Sequence, residues 1–275
     1  MSQAFYRRDD AGSLVPTPYT IGPWDPRFQH GGPPAALLAG AAERFGDDAA
    51  AFVVTRVTVE LLRPLGLVPL RVKVTPLRLG RQAQWLEATL EAEGKLLARA
   101  GVVRIARADV ALPPRFVEPD PPPPGPEGYG EFVIPLFERE EGYHRGVDVR
   151  IVEGVWGEGP LTAWMRPRVP LVEGETASPL ERAMILVDAV NGLAPALPFR
   201  AFGFINPDLT VHLRRPLEGE WLAIAGRSIP ERPAMASHSP SRGRRRCTVR
   251  SGLMKPNARN GSAGASPFTA STRIM

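Results

Sequence analysis

Cysteine occurs once in the 275 residues, at Cys247, which excludes an intramolecular disulfide and any zinc site built on cysteine thiolates. Long hydrophobic runs are also missing: no stretch reaches the roughly 18 apolar residues that a membrane span requires. The N-terminal MSQAFYRRDDAG carries charges where a signal peptide needs its apolar segment. These absences point to a cytoplasmic chain without metal, cofactor or membrane partner. Acidic residues are scarce at the far end. From Ser228 to Met275 nine Lys or Arg face a single acid, Glu231. Residues 1–227 hold 25 basic and 28 acidic side chains, so the overall charge of +5 belongs to the tail. The body therefore exerts no general attraction on a polyanion, and no nucleic-acid partner is expected.

What the chain does contain is a repeat. TVELLRPL at 58–65 recurs 152 residues later as TVHLRRPL at 210–217, identical at six of eight positions. Two copies are too few for a solenoid. A 43% hydrophobic and 23% charged chain of this length has material for two ordinary cores. Ahead of the first copy, Pro33 and Pro34 suit a first helical turn, where their missing N–H groups are not needed. PAALLAGAAERFG (34–46) then has Ala and Leu at helical spacing, with Gly46 as a stop. AFVVTRVTVELLRP, LRVKVTPLRLG and RQAQWLEATLEAEG alternate apolar and polar residues as half-buried strands do, and KLLARAGVVRIAR follows as a fourth strand. Residues 1–110 thus read as extended pieces at 4–7 and 17–21, one helix, and four antiparallel strands that bury it.

The proline-rich segment 111–130 reads as an extended linker, since proline fixes φ and donates no hydrogen bond. Residues 131–227 form the second unit. YHRGVDVRIVEG and LTAWMRPRV look like strands, and TASPLERAMILVDAVNGLA like a helix. Ser178, Pro179 and Glu181 supply its N-cap, first-turn proline and capping-box acid. FGFINPDLTVHLRRP and GEWLAIAGRS then read as strands. Beyond them residues 228–275 show no helical or strand period and are rich in Ser, Arg, Pro and Gly, a composition read as a basic disordered tail. Three origins stay open: a basic arm for nucleic acid or membrane, a plain terminus, or a reading frame altered near residue 228. Loss of two strands there leaves an exposed edge near GEWLAIAGRS, which invites homo-oligomerisation.

Trp24, QHGGPPAALLAGAAE from Gln29, LLRP at 61–64, LGR at 79–81, AWMRPRV at 163–169, LVDAVNG at 186–192 and NPDLTVHLRRP at 206–216 together make the chain resemble the TesB-like acyl-CoA thioesterase II family. The resemblance spans about residues 15–227. It implies an α+β tandem (double) hotdog, each unit an antiparallel sheet wrapped around a central helix, with the second hotdog incomplete. It also implies hydrolysis of an acyl-CoA thioester in lipid metabolism. The family's catalytic group is an Asp on the second helix, a Thr or Ser on the following strand, and a Gln near the chain end. The Asp matches Asp188. The hydroxyl position falls on Asn206, with Thr210 four positions on along the same strand face as its substitute. The Gln has no counterpart, as residues 228–275 contain none.

The residues themselves support part of this. Thioester hydrolysis needs a base for water and donors for the developing oxyanion. Asp188 follows the apolar run AMILV on a helix expected to be central, and burial moves carboxylates towards the range useful for a base. Gly31 and Gly32 open the first helix, where free N–H groups favour a carbonyl oxygen and glycine permits close approach. His30 precedes them and is placed with the substrate-binding group, although a turn role suits it too. Arg63 and Arg215 are candidates for CoA phosphates or simple strand-end residues. A hydratase is disfavoured, because INPDLTVH lacks the Asp-x-Asn-Pro-x-His order. The remaining alternative is a non-catalytic acyl-CoA-binding protein.

Overall fold

The computed structural model describes residues 3–108, 123–195, 202–204, 206–214, 218–230, 254–256 and 268–274. Most of the proline-rich linker, Arg215, Cys247 and the 244–246 arginine cluster lie outside these residues.

The N-terminal lead-in forms the hairpin β1 (Tyr6–Arg8) and β2 (Leu14–Pro16). Residues 18–20 form a short 3-10 turn where extended chain was expected, because the Thr17 hydroxyl accepts the Tyr19 N–H and closes the turn. Helix α1 (Gly32–Glu43) follows, with two prolines in its first turn. Ala35, Ala36, Leu37, Leu38, Ala39, Gly40 and Ala42 are all buried, so α1 is covered on nearly every side. Gly46, at φ +81°, ends the segment as expected.

Four antiparallel strands wrap α1: β3 (Phe52–Leu61), β4 (Arg71–Leu79), β5 (Ala83–Ala92) and β6 (Lys95–Ala106). A register shift between Val54 and Arg56 lets Phe52 and Val54 face the core and, after the extra residue, Val57 and Val59 as well. On the inner face of β6 the buried Arg104 donates to the carbonyls of Glu43 (3.2 Å) and Phe45 (2.8 Å). A cation thus caps the C-terminal end of α1, where the unpaired carbonyls and the helix dipole favour positive charge.

The second unit contains β7 (Val147–Glu153) and β8 (Leu161–Pro167), then α2 (Pro179–Val187) and a short α3 (Val190–Leu193). The Ser178 hydroxyl accepts the Glu181 N–H at 3.1 Å while the Glu181 carboxylate accepts the Ser178 N–H at 2.8 Å, completing the expected capping box. The single helix read across 178–192 is interrupted at Asp188 and Ala189. Strands β9 (Phe202–Phe204), β10 (Asp208–His212) and β11 (Leu222–Pro230) follow.

Two more strands, β12 (Met254–Pro256) and β13 (Phe268–Ile274), arise from the stretch expected to lack structure. β12 pairs with β9, and β13 pairs with β11 along seven residues. The sheet order is β13-β11-β8-β7, so β11 is an interior strand and not the exposed edge expected. The reason is local: FTASTRI carries Phe, Thr and Ile, which favour extended backbone, inside a segment whose average composition does not.

The repeated octapeptides explain how the halves join. The first sheet has the order β10-β3-β6-β5-β4, so the second-half strand β10 lies beside β3. Thr210 pairs with Thr58, Asp208 with Glu60 and His212 with Arg56. Equivalent residues of the two copies are therefore related by a local two-fold axis through the Thr58–Thr210 pair, as in the self-complementary contact of a symmetric dimer. Helices α1 and α2 run antiparallel against each other, with Gly32 against Ile185 and Gly40 against Glu181.

Candidate active site

The junction of the two helices brings together groups distant in sequence. Asp188 sits at the C-cap of α2, its side chain only 8% exposed. Asn206, two residues before β10, donates from Nδ2 to Asp188 Oδ1, and accepts at its own Oδ1 from Asn191 Nδ2 at 2.7 Å. His30 lies ahead of α1 with Nδ1 3.3 Å from Asp188 Oδ2. Gly31 packs so tightly here that a Cβ on it would meet Asp188 Oδ2 at 2.8 Å.

Several local features place these residues. The His30 N–H bonds to Thr20 O at 2.7 Å and the Gln29 N–H to Leu65 O at 2.8 Å. The Gln29 side chain is pinned at both ends, accepting from Tyr6 Oη at 2.7 Å and donating to Gly66 O at 2.6 Å. Tyr143 stacks on His30, with ring centroids 3.8 Å apart and planes 6° from parallel, and its hydroxyl donates to Ile185 O at 2.9 Å. Burial, with help from Asp188, holds the Tyr143 phenol well above its ordinary pKa, so it remains a donor. Burial lowers the pKa of His30, with the Asp188 carboxylate opposing the shift.

These groups lie at one end of a cavity of about 500 Å³, otherwise lined by Trp24, Phe28, Leu61, Leu65, Leu136 and Phe137 among others. Arg63 also lines it. A mostly apolar cavity with a few convergent polar groups is the usual form of a small-molecule site.

Of the residues expected at the site, Asp188, Asn206, His30 and Gly31 come together. Gly32 is adjacent, but its N–H is directed at His30 Nδ1 at 3.2 Å, so it is not a free oxyanion donor. Pro33 and Pro34 have no N–H, which leaves the α1 start poorer in donors than the glycine pair suggested. Thr210 does not line the cavity. Leu209 and Val211 face the core, so Thr210 projects from the other face of β10 beside Thr58. Its separation from Asn206 follows from the latter lying before the strand begins, where period-two alternation no longer applies.

Tyr143 and Asn191 were missed. Asn191 is three residues past Asp188, a spacing that puts two side chains on one helical face, and this signal was available. Tyr143 lies in EGYHRG, which has no period to mark it. Among the described residues no group of three or more His, Cys, Asp or Glu is gathered for a metal, and no helix is long and apolar enough to cross a membrane.

Helix-wrapping sheets joined by their equivalent strands, with a polar cluster at the helix junction, define a double hotdog with a site between its halves. The chain belongs to the acyl-CoA thioesterase family: the family's N-terminal domain model matches residues 20–108 and its C-terminal domain model residues 111–229. A search of curated proteins finds no match.

Solved structures share the fold. A provisionally assigned thioesterase II of Thermobifida fusca YX is similar with a TM-score of 0.60 at 20% identity, covering 96% of this chain and 91% of its own. A hot dog fold protein of unknown function from Alicyclobacillus acidocaldarius has a TM-score of 0.58 at 18% identity, covering 96% and 92%. The acyl-CoA thioesterase II TesB2 of Mycobacterium marinum has a TM-score of 0.56 at 17% identity, covering 90% of each chain.

Proposed function

We propose that this chain hydrolyses an acyl-CoA thioester to the free acid and CoA in the cytoplasm, at the junction of Asp188, Asn206 and His30. Water adds to the thioester carbonyl carbon as a base at the junction takes its proton. The C–S bond then breaks, and the departing CoA sulfur receives that proton. The supporting observation is the convergence of three polar side chains from separate segments at one end of an apolar cavity. Trp24, Phe28 and Phe137 offer the acyl chain an apolar seat, and Arg63 offers a cation for the CoA end. Thr210 has no part in this reading.

Release of CoA from a series of short- to long-chain acyl-CoAs tests the proposal, with Asp188→Asn as the control. Turnover is expected to fall by about 10²–10⁴-fold in the variant, the range of one lost acid–base group. Equal turnover by Asp188→Asn removes the carboxylate from the mechanism. The second reading, a non-catalytic acyl-CoA-binding protein, draws on Asn206 standing where the family has a hydroxyl and on the missing Gln. Gln29 does not replace the latter, since both ends of its amide are engaged. Saturable binding of an acyl-CoA by titration calorimetry without CoA release favours that reading.

A further inference from the structure

Within the hydrolytic reading of this site, on which this rests, we infer that His30 holds the thioester carbonyl oxygen. Its Nε2–H donates to the oxyanion that forms when water adds.

The backbone at the α1 start does not supply that donor. Pro33 and Pro34 have no N–H, and the Gly32 N–H is engaged by His30 Nδ1 at 3.2 Å. That bond makes Nδ1 an acceptor, so the single proton of the neutral ring is on Nε2. Burial lowers the pKa of the ring, which keeps it neutral near pH 7. Asp188 Oδ2 lies 3.3 Å from Nδ1 and favours a proton there, but no hydrogen bond joins the two, whereas the Gly32 N–H makes one. Accepting from Gly32 also polarises the ring and strengthens Nε2–H as a donor. The donor that the helix start loses at Gly32 thus reappears on the far side of the imidazole. A neutral imidazole at a helix start can polarise a carbonyl without giving up its proton.

Nε2 is free to act in this way. Among the described residues the one buried side-chain nitrogen or oxygen without a partner is His144 Nδ1, so the unpartnered Nε2 of His30 is open to the cavity that His30 lines. Tyr143 stacks on a face of the ring, not on its edge, and is itself tied to Ile185 O. Gly32 and Tyr143 therefore fix the direction of the donor before substrate arrives, as stabilisation of an oxyanion requires.

No proton leaves His30 in the reaction. Water adds to the carbonyl carbon as Asp188 accepts its proton, and the C=O electron pair moves to the oxygen that faces Nε2–H. The double bond then re-forms, the C–S bond breaks, and the CoA sulfur takes the proton from Asp188.

The test uses the full chain, an acyl-CoA that it turns over, and an analogue in which a methylene replaces the thioester sulfur and the carbonyl is labelled with carbon-13. This ketone is not hydrolysed, and isotope-edited infrared spectroscopy reads its C=O stretch at saturation. The stretch is expected to move to lower wavenumber on binding the parent protein and to return to its free position in His30→Leu. His30→Leu should also lower kcat by about 10²–10³-fold, the range of one lost oxyanion donor. His30→Gln, which keeps an amide N–H, should regain part of both effects. Circular dichroism checks that the variants are folded. A carbonyl that the parent protein does not shift, or that either variant shifts by the full parental amount, overturns the inference, while CoA release by the parent protein keeps the hydrolytic reading intact. Absence of CoA release by the parent protein from every acyl-CoA overturns both.

Discussion

Gly32→Ala is the substitution that most directly tests how the helix pair and the site depend on each other. A Cβ at residue 32 would sit 2.1 Å from Ile185 O and 3.0 Å from Ile185 C, whereas ordinary contact begins near 3.4 Å. A backbone carbonyl inside a packed helix pair has to retreat by more than an ångström, because no flexible side chain is available to swing away. Overpacking of this kind costs about 1–3 kcal/mol. Displacing Ile185 O also strains the Tyr143 hydrogen bond, worth about 1 kcal/mol. Replacing glycine by alanine returns about 0.5–1 kcal/mol through the unfolded state. The net loss is about 1–3.5 kcal/mol, a fall in Tm of roughly 2–14 °C for a chain of this size.

Gly101→Ala on β6 is the matched control. Its added Cβ meets nothing within 4 Å and its φ is not positive, so it should melt within a degree or two of the parent. Thermal denaturation followed by circular dichroism gives the comparison, and CoA release gives the functional half. Gly32→Ala should lose activity beyond its loss of folded protein, since Ile185, Tyr143 and His30 form one stack. A Gly32→Ala protein that melts with Gly101→Ala refutes the claim that α1 and α2 meet backbone to side at this glycine.

Two further tests concern the opposite end of α1. Arg104→Met removes a buried guanidinium from the α1 carbonyls and from Gln84 and leaves those buried acceptors without a donor, which should cost about 1–3 kcal/mol in urea denaturation; no loss of stability counts against the cap. Burial, with Glu181 nearby, raises the pKa of Glu43 in the fold, although the Ser178 hydroxyl opposes this. Protonated Glu43 therefore favours the folded state, and this contribution is present below the unfolded value and lost as pH rises through the folded one. Glu43→Gln should show a Tm advantage over the parent that grows from pH 4 to pH 7, and a constant difference contradicts the assignment.

Legibility in the sequence followed the strength of local signals. Three of the four strands that enclose α1 were readable because each alternates apolar and polar residues, and the fourth followed from its place after them. Ser178 and Glu181 marked the start of α2 because a capping box depends on four consecutive residues alone. The break at Asp188 was not readable, since LVDAVNG contains no proline and its helical period continues through the interruption. Strand β13 was concealed by averaging: a seven-residue strand with four strand-forming residues sits in a tail whose composition otherwise opposes structure. At the site, Asp188, Asn206 and His30 were identified through their motifs, but their contact was not, because it depends on how α1 packs against α2. Thr210 was misplaced by extending strand alternation beyond the residue where β10 begins.

The local two-fold axis explains why a duplicated fold carries one candidate site and not two. Counting back four residues from the paired threonines sets Asn206 against Val54, which is buried and apolar. Counting from Pro33 and Pro179, which open the two helices, sets Asp188 against Ala42 and Asn191 against Phe45. The first half thus lacks all three members of the polar chain. At that end of the helix pair, Glu43 accepts from the Ser178 hydroxyl, and Glu181 pairs with Arg44 at 2.8 Å. A carboxylate from the end of one helix meets a residue just ahead of the other helix at both ends, Asp188 with His30, two residues before α1, and Glu43 with Ser178, the N-cap of α2. At the first the contact opens on the cavity; at the second it is closed by the capping box and its arginine. The two junctions are equivalent in the fold, and of the two it is the one at Asp188 that carries the Asn206–Asn191 chain and borders the cavity.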